Sequence, residues 1–301
     1  MCQLSKVRVI TIICWIISAI VLIGLAGWFA FGIGWGGLSG MSININNSLT
    51  GPFEEQGSHS VPADGISAMS INWTAGAVTI LPHNGTDIRI TEFAQRDLRD
   101  GEELSLRTDG GIIRIEYITG RNFNNLPAKY LEVLVPYALI EGFEAVGITT
   151  VSARVEISNL SARELHVGTT SGRIELSGGG AHELSLSSVS GRVEMDNVVA
   201  QSLDVSTTSG NQTLIGTFGD VVLGSVSGRL ELTSETLPDS FRANTTSGAM
   251  RLTIPDEGPI SVSHSSVSGR FESEIPVVMH GPDVQFRFST VSGRTSIYTL
   301  G

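Results

Sequence analysis

The chain has 301 residues, 16 % of them charged and 35 of them glycine, with a formal net charge of −11. That length allows a substantial core, and few charges, few aromatics and many glycines suit a turn-rich β protein better than a helical one. No run of like charge marks a disordered tail, and the acidic balance excludes binding of nucleic acid or anionic polymers through bulk electrostatics.

The first predicted element is a membrane helix. Residues 9–31 carry no charge and are interrupted only by Thr11 and Ser18. As a helix they would run roughly 35 Å, enough to cross a bilayer. Lys6 and Arg8 precede the span and the first acidic residue after it is Glu54. The positive-inside rule therefore puts residues 1–8 in the cytoplasm and the rest outside, a single-pass cell-membrane protein with an extracytoplasmic domain. The competing reading is a cleaved signal peptide, with Gly24 and Ala26 as the small residues before the cut. Cys2 and Cys14 lie in or before this segment, and Cys2 lacks the small-residue run of a lipoprotein cleavage site. The exterior part has no cysteine, hence no internal disulfide and no cysteine-based metal site. It carries 17 Lys+Arg against 30 Asp+Glu, a balance of −13. Solubility accounts for that excess, which could also favour cationic partners.

Residues 32–62, rich in Gly, Ser and Asn, read as a flexible tether. Residues 63–148 read as an irregular β region. INWTAGAVTILP looks like an early repeat copy with Ala75-Gly76 at its turn, and TDIRITEF, GEELSLRTD, GGIIRIEYI and KYLEVLVP alternate apolar and polar residues as half-buried strands do. Asn84-Gly85 and Asp109-Gly110-Gly111 supply turn chemistry. No helical pattern follows the tether.

From 149 to 301 one phrase returns eight times: a hydroxyl pair, Ser-Gly, then an alternating strand. TTVSARVEI is a worn first copy. TTSGRIEL, SVSGRVEM, TTSGNQTL, SVSGRLEL, TTSGAMRL, SVSGRFES and TVSGRTSI follow, and the serines of these clear copies and of the worn one lie 19, 19, 19, 18, 20, 21 and 24 residues apart. Six residues before each clear serine stand Leu165, Leu184, Leu203, Val221, Phe241, Val262 and Phe286; three and five after come pairs such as Ile174 and Leu176. Alternation on both sides of the turn predicts two short strands per repeat with one face inward, and the glycine is expected to supply backbone freedom at the corner. The fold class is all-β, a β-solenoid (parallel β-helix-like) of about 19-residue repeats with deviant terminal copies as capping coils. The alternative is an antiparallel hairpin-repeat meander.

The hydroxyl pairs alternate TT and SV. Every SV copy then carries Arg and Glu: Arg192 with Glu194, Arg229 with Glu231, Arg270 with Glu272. These six residues, expected outward on one face, are the candidate binding face for an envelope glycan, peptide or protein; a solvated ladder of weak surface ion pairs is the simpler account of them. Catalytic chemistry is not signalled. The six histidines are scattered, His264 falls in an apolar column, and GGxGxD, P-loop, dinucleotide and GxSxG motifs are absent. The repeated serines are turn residues. Asp97, Asp100, Glu102 and Glu103 beside Arg96 and Arg99 read as a solvated loop, and Lys129 is the single lysine of the exterior part. No cofactor, metal or catalytic residue is expected.

The TTSGRIEL/SVSGRVEM phrase, the LEVLVP strand and INWTAGAVTILP together resemble the bacterial putative-adhesin family of β-strand-repeat domains of unknown function, over roughly Ser60 to Gly301. The resemblance implies a membrane-anchored envelope protein with a solenoid-like domain, some members being tied to envelope stress responses. It defines no catalytic residues to carry over. The expected function is a non-enzymatic, adhesin-like binding, structural or stress-sensing module of the envelope. The alternatives are a carbohydrate-active β-helix enzyme and a self-assembling scaffold.

Overall fold

A computed structural model describes residues 52–117, 128–279 and 285–300. The predicted membrane span, the N-terminal eight residues, both cysteines and residues 32–51 lie outside them. Among the described residues no helix is long and apolar enough to cross a membrane, and every regular element is a strand.

The period-two runs become strands where predicted. The opening region forms β1 (Glu54–Pro62), β2 (Ala68–Trp73), β3 (Gly76–His83), β4 (Asp87–Ala94), β5 (Ser105–Asp109), β6 (Ile112–Glu116) and β7 (Lys129–Pro136). The repeats form β8 (Phe143–Thr150), β9 (Arg154–Ser158), β10 (Ser161–Thr169), β11 (Ile174–Ser177), β12 (Gly180–Ser188), β13 (Val193–Thr207), β14 (Gln212–Ser225) and β15 (Leu230–Ser234). They continue as β16 (Ser240–Thr245), β17 (Met250–Ile254), β18 (Ile260–Ser266), β19 (Arg270–Ser273), β20 (Val277–Met279), β21 (Phe286–Thr290) and β22 (Arg294–Thr299). Residues 54–62 are thus a strand, antiparallel to β4, and not the end of a tether.

Equivalent strands of successive repeats pair in parallel, which rules out the hairpin meander. One column holds the strands before each turn: β8, β10 and β12, then the second halves of β13 and β14, then β16. The other holds the strands after it: β9, β11, the first halves of β13 and β14, β15 and β17. Inward residues of both columns share one core; Leu165, Leu184, Leu203, Val221, Phe241, Val262 and Phe286 are all buried. At about 25 cal/mol per Å² of apolar surface, such a column is the main force holding coil on coil.

At both ends the coils stack out of chain order. β2–β3 pairs with β8–β9 on one side and with β6–β7 on the other. At the C-terminal end β21–β22 lies between β16–β17 and β18–β19. The last repeat is therefore no terminal capping coil; it is inserted one level in, and β18–β19 lies beyond it, followed by β20. The longer steps of 21 and 24 residues contain the chain that passes a level and returns. The N-terminal side is closed by antiparallel strands, β5 on β6, β4 on β7 and β1 on β4.

The turn glycines are needed for a reason other than backbone freedom. None of those in the clear copies has a positive φ. A Cβ on Gly191 would lie 1.7 Å from the carbonyl oxygen of Gly172, and one on Gly210 1.9 Å from that of Gly191. The column continues through Gly228, Gly248, Gly293 and Gly269, so close stacking fixes the residue. In the regular coils positive φ falls at the opposite corner, where Asn159 (52°), Gly178 (68°) and Asn197 (54°) stack.

Candidate functional site

The hydroxyl pair orients everything that follows it. Its first member points inward and accepts a hydrogen bond from the N–H of the turn glycine: Thr169 from Gly172 at 2.9 Å, Ser188 from Gly191 at 2.7 Å, Ser225 from Gly228 at 2.8 Å. Its second member faces out; Val226 is half exposed and Val267 82 % exposed. With the corner so fixed, the second and fourth residues after each serine turn outward on the second column. That is where the predicted Arg and Glu stand.

The six predicted residues share this face but do not form one row. Arg192 and Glu194 belong to a continuous ladder with two preceding coils, Arg154–Glu156 and Arg173–Glu175, in register. Arg154 lies 2.6 Å from both Glu156 and Glu175, Arg173 lies 2.8 Å from Glu175, and Arg192 lies 3.1 Å from Glu194. The hydrogen bond from Arg154 to Glu175 raises the pKa of the guanidinium. Partial burial opposes ionisation of Glu175, yet the bonds from Arg154 and Arg173 hold its carboxyl below the usual range. Arg154 and Glu156 come from the worn copy SARVEI; the Arg-x-Glu spacing was present there, hidden by the alanine that replaces the turn glycine.

The next coil interrupts the ladder with Asn211 and Thr213, and Asn211 Oδ1 accepts from the backbone N–H of Arg229. Arg229 and Glu231 follow, 3.8 Å apart. Then come Ala249 and Arg251, the inserted Arg294 and Ser296, and only then Arg270 and Glu272. Two coils, rather than the one that the alternation implies, thus separate Arg229 from Arg270. Arg251 and Arg294, which the alternation did not single out, stand between them.

The acidic loop is not wholly solvated. Arg96 binds Glu102 through two nitrogens, at 2.8 and 3.1 Å, and the backbone N–H of Arg99 donates to the same carboxylate at 2.9 Å. The bond from Arg96 is the main reason the Glu102 carboxyl is held down at about 2. Lys129 is 0 % exposed rather than part of a polar face. Its Nζ lies 2.8 Å from Glu92, donates to the carbonyl of Glu102, and sits 4.1 Å from the Tyr117 ring centre. Burial pulls its pKa below the usual lysine range, and Glu92 pulls the other way. This is a buried brace inside the fold.

His264 keeps its place in the apolar column, in register with Phe288 and 5.2 Å from the Phe271 ring, with no hydrogen-bond partner at Nε2. Among the described residues no three His, Cys, Asp or Glu side chains are grouped to hold a metal.

Three solved structures resemble the chain. A candidate lipid-binding protein from Parabacteroides distasonis is 15 % identical, with a TM-score of 0.53, over 81 % of this chain and 96 % of its own. A candidate adhesin from Bacteroides fragilis is 12 % identical at 0.44, over 81 % and 96 %. A candidate cell adhesion protein from Clostridium sporogenes is 11 % identical at 0.30, over 83 % and 100 %. At such identities the likeness concerns fold alone. No curated protein matches the chain. Residues 66–285 match the Toastrack DUF4097 family, and the chain belongs to it.

Proposed function

We propose that this Toastrack domain is a non-catalytic recognition module of a bacterial cell envelope. Residues 9–31 anchor it in the membrane, and the outward side of its second strand column meets an envelope glycan, peptide or protein partner. Family membership supplies a fold and no activity, so the reading rests on one observation: Arg154, Arg173 and Arg192 with their glutamates stand in register on consecutive coils. A stack of coils holds such side chains at fixed spacing without further ordering cost, which suits recognition of an extended, repeating ligand. The carboxylates of this row are engaged by arginine, which disfavours an acid/base pair for glycan cleavage.

The test is to present the full-length protein in nonionic detergent to arrays of envelope polysaccharides, peptidoglycan fragments and cationic peptides. The expected result is a saturable ligand lost when Arg154, Arg173 and Arg192 are all changed to Gln. Binding unaltered by that change overturns the assignment to this face. A second reading, end-to-end assembly, is favoured by β19, whose one pairing among the described residues is with β22. Concentration-dependent growth of scattered light supports it, and a stable monomer removes it.

A further inference from the structure

We propose that the cleft around Ala249 binds a phosphoryl oxyanion through Arg229, Arg251 and Arg294. This goes beyond the extended-face reading, because it needs a single cleft and not a continuous row, and either can fail alone.

The cleft follows from the stacking order. In the regular ladder each guanidinium has a carboxylate within 2.6 to 3.1 Å, and every coil contributes one arginine and one glutamate in balance. Around Ala249 that balance is lost. Ala249 sits in the column position that is arginine on both neighbouring coils, Arg229 on one side and, through the inserted β22, Arg294 on the other. Arg251 takes the column position that Glu231 holds one coil earlier. The small alanine side chain therefore leaves a gap of about 230 Å³, bordered also by Glu231, Met250, Ser296 and Tyr298.

Three guanidinium groups and one carboxylate border this gap. Glu231 is 3.8 Å from Arg229 and 3.9 Å from Arg251, beyond hydrogen-bond distance, and Arg294 has no ion pair among the described residues. Arg251 is held 4.9 Å over the Tyr298 ring, which steadies its fork. The local balance is thus three positive charges against one negative, in a chain whose net charge is −11. On the next coil Arg270 and Glu272 cancel. An excess of two positive charges matches a dianion. Forks from three directions suit the several oxygens of a tetrahedral phosphate better than the two of a planar carboxylate. Bulk charge still repels anionic polymers, so the site is expected to take one terminal phosphoryl group and not to track a polyanion.

The experiment is calorimetric titration of the full-length protein in nonionic detergent. The ligands are inorganic phosphate and dihexanoyl phosphatidic acid, with dihexanoyl phosphatidylcholine as the control lipid. One phosphate per chain is expected, weakened at least about tenfold in the Arg251→Gln/Arg294→Gln variant and in Ala249→Glu. Both variants should keep the parent unfolding temperature to within a few degrees, since all these side chains are at the surface. Tighter binding of phosphatidic acid than of phosphate assigns a lipid headgroup as the source; equal binding assigns a free phosphoryl group. Absence of saturation by about 10 mM phosphate overturns the proposal, as does equal affinity in folded variants. The Arg154/Arg173/Arg192 variant should bind phosphate as the parent does, which separates this site from the extended face.

Discussion

Two register positions run the length of the stack, and the N-terminal cap and the regular coils fill them in opposite ways. In the coils one position is a hydroxyl, Thr150, Thr169, Ser188 and Thr207, and the other is alanine or glycine, Ala153, Gly172, Gly191 and Gly210. In the cap the hydroxyl column continues as Trp73 and the glycine column as Gly76 and then Lys129. Tyr117 packs edge-on against Trp73 at 5.1 Å, and the Lys129 ammonium lies over its ring. In the regular coils small residues at these positions let the backbones approach. The end of a stack has an open interior, and here a tryptophan, a tyrosine and a charged lysine fill it. The cap obtains closure at the cost of a buried ion pair; the coils obtain cohesion from repetition alone.

The sharpest way to break this comparison is Lys129→Met. It strands the Glu92 carboxylate, 3 % exposed, without its cation. Unpairing a buried charge costs about 3–5 kcal/mol, so urea unfolding followed by circular dichroism should show a loss of that size. The Lys129→Met/Glu92→Leu double variant should recover most of it, because two apolar side chains of similar volume need no counter-charge. A double variant as unstable as the single one would mean that the cap depends on the lysine for something other than charge pairing.

Glycine separates the regions next. Gly210→Ala places a methyl 1.9 Å from the Gly191 carbonyl, so two coils must part; about 3 kcal/mol is expected from overpacking against backbone. Gly101 in the cap has φ +80° and open space around its would-be Cβ. There the cost of alanine is conformational only, about 1–2 kcal/mol. Equal losses in the two variants would remove the stacking account of the glycine column.

That distinction also shows how far the sequence could be read. The apolar columns were legible, because Leu165, Leu184 and Leu203 recur at one period and the flanking residues alternate. The presence of glycine was legible too, but a linear sequence shows the residue and not the carbonyl across from it, so flexibility was inferred where proximity rules. Stacking order was out of reach: parallel pairing partners are chosen in three dimensions, and only the longer steps near Ser268 and Ser292 hinted at the inserted coil. The arginine face followed from Arg-x-Glu spacing, whereas Arg294 beside Ala249 depends on that insertion. Lys129 and Glu102 look in sequence like any solvated charges, since burial is decided by strands far away along the chain.

Acid should separate the regions in pH. His166 lies on the coils between uncharged in-register neighbours, Gly147 and Ser185, and burial lowers its pKa below 6.5. A folded-state histidine that resists protonation makes stability fall as pH drops below about 6.5, where the unfolded chain takes up the proton. Glu102 in the cap acts with the same sign in a lower pH window. Its folded pKa is lowered from 4.5 to about 2, so its contribution is full above 4.5 and is lost as pH falls toward 2. Urea midpoints measured across this range should decline in two steps. His166→Asn should reduce the first, with His264, also lowered by burial, supplying the remainder. Glu102→Gln should reduce the second, with Glu175, also lowered, supplying part of the remainder. A single step unaffected by either substitution would show that these groups do not govern acid stability.

The smallest expected effect is the most direct comparison of the two regions. Arg173 meets Glu175 at 2.8 Å, the same distance that separates Lys129 from Glu92. Geometry alone would rate the pairs alike. Solvent does not: the Arg173 side chain is 43 % exposed and that of Glu175 24 %, against 0 % and 3 % in the cap. In water the attraction is screened, and holding two long side chains in place costs entropy, so exposed pairs contribute about 0–1 kcal/mol. Arg154 also remains 2.6 Å from Glu175 after Arg173 is removed, so the carboxylate keeps a partner. Arg173→Gln should therefore shift stability by no more than about 0.5 kcal/mol, a shift that shrinks further in high salt. A loss approaching that of Lys129→Met would mean that the ladder holds the coils together. The expected near-neutrality leaves the row free to be spent on a ligand, because side chains that contribute little to folding can exchange their partners at little cost to the fold.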